Sequence, residues 1–368
     1  MSIVGDDMND GAMPGASHLL ARGAGDDVRA DRRLRAAIDD LGLPDEFRLN
    51  ERTRLTVQRM AERLCALVEG DVRQAAGRRL VAAGLPELAL VLAGEERIAY
   101  PALAAAGLFA EAFVARELLG RAGQALLADA LPLAAPDEED RPSLLVRLAE
   151  DKDGMVAAAA ASMLVADARR RDALDGAASR GDVSAELHHR LVWGAAAVLH
   201  RALMPATTEE QAAFDTALTE GAAQALAAHD EGDRAEAVAQ RLAATLRPGD
   251  AELPPLLIGA LGDRRVPMFV ALLAQRLGLA EEDVRDALLD PAPERFWLML
   301  RAAGLDRPTI AAIGLALCDA DPRRDVEYFA DTLDCIMAVS PTAARGALAP
   351  LYLHPDLRAA RARLEAGA

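Results

Sequence analysis

An acidic run near the N-terminus is the first group of residues whose types could do chemistry. Asp6, Asp7, Asn9 and Asp10 follow Gly5 within a few positions. Magnesium ions bind through oxygen atoms, chiefly those of carboxylates and water, so side chains at this spacing could hold one. Such a loop would have to follow a strand and act together with an acidic nucleophile elsewhere in the chain.

The run resembles the metal loop of haloacid-dehalogenase-type phosphatases, where a G-D-x-x-N-D segment comes after the nucleophilic D-x-D. Here the D-A-D at 319–321 comes after the loop instead of before it, and Pro322 follows directly. Only residues 2–4 could form the preceding strand. We therefore interpret residues 1–27 as a flexible acidic tail and the match as accidental.

A histidine pair in ELHHRLVWGAAAVLHRAL is the second candidate. His-His-Arg-Leu resembles the phospho-acceptor box of sensor kinases, and by that resemblance His189 would accept phosphate. The lysine and asparagine that continue the box are absent, so such a protein would receive phosphate from a separate kinase. A structural interpretation is the alternative, with His189 packed on Trp193. His189 and His200 would lie about 16 Å apart along a helix, too far to share a metal ion.

A single lysine excludes several classes of nucleotide-dependent enzyme. Lys152 is followed by Asp153, so the G-x-x-x-x-G-K-[ST] loop that cradles phosphates is absent. The sequence also lacks H-E-x-x-H, C-x-x-C and G-x-S-x-G patterns, which would indicate a zinc site or a serine nucleophile. We expect no catalytic residue, no metal and no cofactor, and hence a protein that is not an enzyme.

The three cysteines are predicted to be structural. Cys65, Cys318 and Cys335 lie within apolar helical patterns and form no closely spaced pair. Cysteines in such positions are typical of buried, reduced thiols in a cytosolic protein.

The charge balance argues against two classes of partner. The formal net charge is −17, and the longest basic run is Arg169-Arg170-Arg171. Nucleic acids and anionic membranes are bound by clustered positive charge, so we expect neither as a partner. The N-terminal residues lack the pattern of a signal peptide, and the most apolar run, 155–165, is too short to cross a bilayer. We expect a cytoplasmic protein.

Composition and periodicity predict an all-α fold with no sheet. Aromatic residues make up 3% of the chain and apolar residues 52%, so the interior must consist mainly of Ala, Leu and Val. Ala and Leu favour helix, and residues that favour strands are scarce. Between residues 57 and 68, apolar side chains recur about every 3.6 residues, as on one face of a helix.

Internal repetition indicates how the helices are arranged. Gly-Asp-Val recurs at 70–72 and 181–183, each time with a leucine on the same helical stripe two turns after the valine. Asp71 and Asp182 are predicted to cap helix N-termini, as in the second helix of a HEAT-like hairpin. The predicted fold is therefore a HEAT-like helical-hairpin array (a right-handed α-α superhelix) with degenerate repeats, or an irregular helical array, in preference to a compact bundle.

Two charged breaks that contain proline divide this array. They lie at 136–142 and 247–255, and each is short enough to be a loop within one array. The predicted organisation is the acidic tail, an N-terminal segment, a central HEAT-like segment and a C-terminal segment, at 1–27, 28–135, 143–247 and 248–368.

Three apolar segments carry a resemblance to a known family. They are LLVRLAEDKDGMVAAAAASML, ELHHRLVWGAAAVLHRAL and, most specifically, residues 269–317, where an apolar helix precedes DVRDALLDP and two further apolar helices. Over roughly residues 100–368 the chain resembles a family of alphaproteobacterial HEAT-like helical-repeat proteins of unknown function. The resemblance implies an all-α fold and a bacterial cytoplasmic setting, but no reaction.

One tryptophan is a candidate anchor for a protein partner. In APERFWLMLRAAG, Phe296 belongs to the expected core stripe, whereas Trp297 shares a semi-polar face with Glu294 and Arg301. Tryptophan and arginine are enriched at the energetic centres of interfaces, so these three residues are predicted to form a partner surface. The alternative is that Trp297 packs against the next helical hairpin.

These observations favour a cytoplasmic, non-enzymatic scaffold or adaptor that binds a protein on its concave surface. Two alternatives stay open. A histidine phosphotransfer protein would use His189 and requires that its imidazole be exposed. A HEAT-like DNA glycosylase requires a basic concave groove with a buried acidic residue, and the acidic charge disfavours it.

Overall fold

The computed structural model describes residues 49–132, 142–175 and 183–366. Within these ranges the chain forms α-helices, short 3₁₀ helices and no β-strand, so the prediction of an all-α fold is confirmed. The chain from Arg52 to Ala368 forms one compact unit. The acidic run at 5–10 and the whole predicted tail, 1–27, lie outside the described residues.

The described helices are numbered α1 to α17 in chain order. The first eight are α1 (Glu51–Ala82), α2 (Pro86–Leu92), α3 (Ala99–Ala105), α4 (Ala112–Ala130), α5 (Leu144–Ala149), α6 (Gly154–Asp175), α7 (Ala185–Leu203) and α8 (Thr208–Ala227). The other nine are α9 (Ala235–Leu246), α10 (Leu253–Gly262), α11 (Val266–Leu277), α12 (Glu281–Leu289), α13 (Glu294–Ala302), α14 (Arg307–Ala320), α15 (Val326–Ala338), α16 (Pro341–Ala347) and α17 (Pro355–Ala366).

Two helices are followed by a glycine in the left-handed conformation. Gly278 and Gly304 follow α11 and α13 with φ of 68° and 83°, a left-handed conformation that glycine adopts without a steric penalty. Shortly after Gly304, the Asp306 side chain accepts a hydrogen bond from Thr309 N at 3.0 Å and caps α14. Local turn chemistry therefore fixes the boundaries around α13.

Helix α1 is longer than the sequence predicts. The Gly-Asp-Val pattern predicts a helix N-terminus at Asp71, but α1 continues without a break from Glu51 to Ala82. The prediction is wrong because one interior glycine, Gly70, costs only about 1 kcal/mol. Burial of Val68 and Val72 on either side of it stabilises the continuous helix. Asp182, the other predicted cap, lies outside the described residues.

The first core is built from α1, α2, α3, the start of α4, α7 and α8. Helix α3 packs on α7, and α7 packs on α8. Gly221 of α8 lies directly against α1, since a Cβ at this position would come within 2.9 Å of Ala76 N. Small side chains therefore let these helices approach closely, as the composition predicts.

The second core surrounds α11. This helix contacts α4, α9, α10, α12 and α13, and every side chain from Val266 to Ala274 is buried. A helix that is apolar on all sides is typical of a protein interior. Phe269 of α11 packs on Phe296 of α13 with ring centroids 6.2 Å apart, which confirms the predicted core position of Phe296.

Helix α4 contributes to both cores. Val114 and Leu118 pack in the first core, whereas Leu127 packs in the second with Leu131, the residue that follows the helix. The first core also includes α7 and α8, and the second includes α5, α6 and the helices from α9 to α16. Each core thus combines helices that are distant in sequence. The division into three consecutive helical segments stays a prediction.

Candidate functional site

Trp297 belongs to the protein interior. The residue is 4% exposed, and its ring centroid lies 5.4 Å from that of Phe296 and 4.9 Å from that of Phe329. Phe329 is on α15, which covers the face of α13 that the sequence pattern leaves semi-polar. The indole therefore packs against the next helical hairpin, and this burial contradicts its predicted role as a partner anchor.

Arg301 is also buried, and its hydrogen bonds explain why. Its Nε and Nη2 donate to the carbonyl oxygen of Val339 at 3.1 and 2.9 Å, and its Nη1 donates to Leu305 O at 2.9 Å. The guanidinium thus donates hydrogen bonds to carbonyl groups at the ends of α15 and α13, where no backbone N–H of the same helix is available as a donor. Of the three residues in the predicted partner surface, Glu294 is exposed.

His189 lies on the exposed side of α7. Its ring meets the edge of Trp193, with centroids 6.4 Å apart and planes at 62°. The exposure that phosphotransfer requires is present, and so is the contact with Trp193 that a structural role predicts. His200, further along the same helix, hydrogen-bonds Asp215 through Nε2 at 2.8 Å.

His188, which directly precedes His189 in the motif, has a structural position. His188 is 3% exposed and stacks on His229, with ring centroids 4.3 Å apart and planes at 17°. The stack joins α7 to the turn that follows α8, so only the second histidine of the His-His-Arg-Leu motif faces outward.

The cysteines are all free, but they are not all buried. Desolvation, with a smaller contribution from Glu69, raises the pKa of Cys65 to about 12. Cys335 is exposed because the inward face of α15 is formed by Phe329, Leu333 and Ile336. The prediction of three buried thiols is therefore wrong for Cys335.

Neither a metal site nor a membrane-spanning helix is found in the part of the chain that the structure describes. No group of three or more His, Cys, Asp or Glu side chains there could hold a metal ion. None of the helices described is both long and apolar enough to cross a membrane.

An open, largely apolar concavity lies between α1, α2 and the turn that follows α2. It has a volume of about 1140 Å³, and we call it the arginine groove. It is lined chiefly by small or apolar residues and by arginines, namely Gly70, Arg73, Gly77, Arg78, Val81, Pro86, Ala89, Leu90, Ala93 and Arg97.

Large apolar side chains project from both walls of the arginine groove. Val81 at the end of α1 is 58% exposed, and Leu90 of α2 is 74% exposed. Gly77, one turn before Val81 on α1, also lines the groove, and no atom beyond its own helical turn lies within 4 Å of the position that a Cβ would occupy. Exposed apolar side chains around an open concave surface mark a binding surface more often than a single exposed leucine does.

The charges at the rim of the arginine groove are mainly positive. Arg78 and Arg97 are exposed and form no ion pair with any described residue, whereas Arg79, next to Arg78, pairs with Glu220 at 2.9 Å. Glu95 is the acidic side chain in the lining. In a chain with a net charge of −17, two unpaired guanidinium groups beside exposed apolar side chains form a local surface suited to a carboxylate-bearing ligand.

A buried ion pair holds the far wall of the groove in place. Glu69 is fully buried and accepts hydrogen bonds from Ile98 N at 3.1 Å and Ala99 N at 3.0 Å. Arg73 donates to Leu92 O at 2.6 Å and to Glu96 O at 2.9 Å. The two side chains of α1 thereby fix the turn between α2 and α3, and with it the positions of Glu95 and Arg97.

Sequence reasoning missed the arginine groove. Its residues carry no catalytic motif, and its two walls come from α1 and from a short helix after a turn. One usable signal was present, since Gly70 and Gly77 are seven residues apart and therefore share a face of a helix. Glycine on a helix face leaves room for another chain, but this signal is visible only once α1 is known to be continuous.

Comparison with known proteins identifies the family but no function. No curated protein matches the chain, and no solved structure matches it either. A family model described as "Uncharacterised protein conserved in bacteria (DUF2336)" matches residues 136–349. Because this match covers more than half of the 368 residues, the chain belongs to that bacterial family.

Proposed function

We propose that this protein is a non-enzymatic cytoplasmic adaptor that binds an amphipathic helix of a partner protein in the arginine groove. The helix places an apolar stripe against Val81 and Leu90 and directs carboxylates towards Arg78 and Arg97. The observation that carries the proposal is the position of these two unpaired guanidinium groups at the rim of an exposed apolar groove.

The dimensions and the lining of the groove support a helix as the occupant. An apolar groove that receives a helix makes contact through side chains at i, i+3, i+4 and i+7, and small residues on its floor allow the backbone to approach. Gly77 provides an open floor position, whereas the Arg97 guanidinium lies 3.8 Å from the position that a Cβ would occupy at Gly70. The volume of about 1140 Å³ exceeds that of an ordinary small-molecule pocket.

We also propose that the helices form a HEAT-like array, in which stacked hairpins create extended binding surfaces. Consecutive helices pack as pairs at several points, and these pairs are α5–α6, α7–α8, α10–α11 and α14–α15. Additional contacts, such as those of α6 with α9 and α10 with α14, fit an irregular array rather than a consensus one.

Photo-crosslinking in the native bacterium tests the adaptor proposal. p-Benzoylphenylalanine is placed at position 90 or, as a control, at position 315, because Leu315 is also an exposed leucine, 48% exposed, but lies on α14. We expect one partner protein to crosslink to position 90 and the same protein not to crosslink to position 315. The crosslinked segment should carry an apolar stripe with Asp or Glu beside it.

Three results would overturn the proposal. One is the absence of any specific crosslink from position 90. Another is a crosslinked segment without carboxylates. The third is a crosslink to a second copy of this chain, which would make the groove a self-association surface.

Phosphotransfer through His189 is the second candidate function, because the imidazole is exposed. Phosphoramidate can test it, since its P–N bond breaks with release of ammonia as a new P–N bond forms to the imidazole. Phosphotransfer predicts one acid-labile phosphohistidine that is lost in His189→Gln and retained in His200→Gln. If labelling is absent, or equal in both variants, this alternative is excluded.

The DNA-glycosylase alternative gains no support, because Arg169 and Arg170 of the basic run pair with Asp233 and Glu236.

A further inference from the structure

A second cavity, unrelated to the arginine groove, lies between α4, α9, α11 and α12. Its volume is about 260 Å³, near the lower end of the range for small-molecule sites. Unlike the groove it is strongly polar. We call it the glutamate cleft, and its principal polar lining residues are Gln124, Arg234, Glu236, Gln240, Glu281 and Arg285.

The arginines of the cleft are already engaged with carboxylates. Arg285 donates to Asp286 Oδ1 from Nε at 3.1 Å and from Nη2 at 2.8 Å. Arg234 Nη1 lies 3.0 Å from Glu231 Oε1. Behind the cleft, Arg170 pairs with Glu236 Oε1 at 3.0 Å. Little of the positive charge is therefore left for an anionic ligand.

Two carboxylate oxygens of the cleft, by contrast, accept no hydrogen bond. Oε2 of Glu236 and Oε1 of Glu281 are shielded from solvent and have no hydrogen-bond partner in the structure. The Glu281 residue is only 9% exposed. A buried carboxylate oxygen without a donor is unfavourable by roughly 1–3 kcal/mol or more, so a donor within the cleft would be stabilising.

One donor of the cleft also has no acceptor. Nε of Arg234 makes no hydrogen bond, and it lies 3.8 Å from Oε2 of Glu236. A ligand that fits the cleft therefore donates to the two glutamates and accepts from Arg234. Four glutamates and two arginines line the cleft in all, so the ligand should be cationic.

We propose that the glutamate cleft binds the primary ammonium group of a small molecule that carries an adjacent hydroxyl or carboxylate acceptor. The ammonium N–H groups donate to Glu281 Oε1 and Glu236 Oε2, and the acceptor receives a hydrogen bond from Arg234 Nε. A charge-assisted hydrogen bond of this kind is stronger than a neutral one, and it satisfies atoms that are buried without partners. The proposal does not depend on the adaptor function.

The protonation of Glu281 fits this assignment. Burial, together with the charges of Glu236 and Glu282, raises its pKa to about 8. The other charged groups around it are Glu231, Arg234 and Arg285. Near pH 7 the unliganded carboxyl group holds a proton, so binding of an ammonium group should release that proton. Affinity should therefore increase from pH 6 to about pH 8.

Thermal unfolding and isothermal titration calorimetry of the full chain, at constant ionic strength, test the proposal with three small probes. Ethanolamine has both the ammonium and the acceptor, tetramethylammonium has the charge without N–H donors, and ethylene glycol has hydroxyl groups without the charge. We expect saturable stabilisation by ethanolamine alone, with proton release at pH 7 that depends on the ionisation enthalpy of the buffer.

Glu281→Gln provides the matched test, with Glu294→Gln as the control because Glu294 is exposed on α13. Glu281→Gln should weaken ethanolamine binding at least tenfold and abolish the proton release, whereas Glu294→Gln should change neither. The proposal is overturned if ethanolamine does not bind saturably, if tetramethylammonium binds equally well, or if Glu281→Gln binds like the wild type.

Discussion

Glu69 and Arg73, one turn apart on α1, form a buried ion pair in which the closest nitrogen and oxygen atoms are 2.6 Å apart. Both side chains also hydrogen-bond the backbone between Leu92 and Ala99. One pair of residues thus neutralises two buried charges and positions a wall of the arginine groove. Removal of either partner leaves a buried charge without its counterion.

Glu69→Gln should therefore destabilise the protein strongly. Breaking a buried pair by removing one charge costs about 3–5 kcal/mol, and the free energy of unfolding can be measured in urea. Glu87→Gln is the control, because Glu87 is an exposed glutamate on α2, and it should change stability by less than about 0.5 kcal/mol. Equal effects of the two substitutions would contradict the structural role of Glu69.

The two tryptophans should respond differently to substitution. Trp297 is 4% exposed and Trp193 is 38% exposed. Trp297→Ala should leave a cavity beside Phe329 and lower the free energy of unfolding by about 3–5 kcal/mol. Trp193→Ala should have a much smaller effect, and comparable losses would show that the indole of Trp297 is not packed as described.

Gly314→Ala should disrupt the packing of α14 on α15. A Cβ at position 314 would lie 2.0 Å from Cζ of Phe329, so the ring would have to move, at a cost of about 1–3 kcal/mol. Gly346→Ala on α16 is the control, since no atom lies within 4 Å of its Cβ position. It should leave stability unchanged or raise it by up to about 1 kcal/mol. A neutral Gly314→Ala would contradict the close contact.

Thiol labelling should separate the cysteines by exposure. A thiol reacts as the thiolate, so the pKa of about 12 at Cys65 keeps that residue unreactive at pH 8. An aromatic disulfide reagent should modify Cys335 first and Cys65 only after unfolding in urea. Cys335→Ser should remove the fast phase, and a fast phase that persists in this variant would assign the reactive thiol to another residue.

The stability of the protein should depend on pH through Glu281. Its pKa is raised from 4.5 to about 8 by burial and by neighbouring carboxylates, so the folded state keeps a proton that the unfolded chain releases. The stabilisation is complete below about pH 4.5 and is lost as the pH rises to about 8, at about 1.4 kcal/mol for each pKa unit.

Glu281→Gln cannot ionise and should escape this loss. The free energy of unfolding of the variant, relative to the wild type, should increase between pH 5 and pH 8 and then level off. Urea unfolding at pH 5, 7 and 9 measures the difference, with Glu294→Gln as the control. A difference that does not change with pH would show that Glu281 ionises normally in the folded protein.

The sequence predicts the fold class and many helix ends, because both depend on local chemistry. Alanine and leucine content and apolar periodicity indicate helices, and the glycines at 278 and 304 follow helix ends in the structure. Asp71 shows the limit of this reasoning. Its Gly-Asp-Val context is typical of a helix start, yet tertiary burial on both sides of Gly70 keeps α1 continuous.

Exposure was harder to predict than helicity, because it depends on which helix covers which face. Trp297 lies on a semi-polar stripe of α13, and only the position of α15 makes it a core residue. Leu90, on the apolar helix α2, is 74% exposed. Both the arginine groove and the glutamate cleft combine residues from helices whose contacts the sequence pattern does not encode.

A charge-swap binding experiment tests the central claim most directly. The partner segment crosslinked from position 90 is synthesised with a fluorescent label, and its affinity is measured for the wild type, Arg78→Glu and the control Arg59→Glu, which alters an exposed arginine of α1 outside the groove. We expect Arg78→Glu to weaken binding at least tenfold and Arg59→Glu to leave it unchanged.

A peptide whose matching carboxylate is replaced by lysine should recover affinity for Arg78→Glu. Equal affinities for all three proteins, or no recovery with the lysine peptide, would contradict binding in the arginine groove.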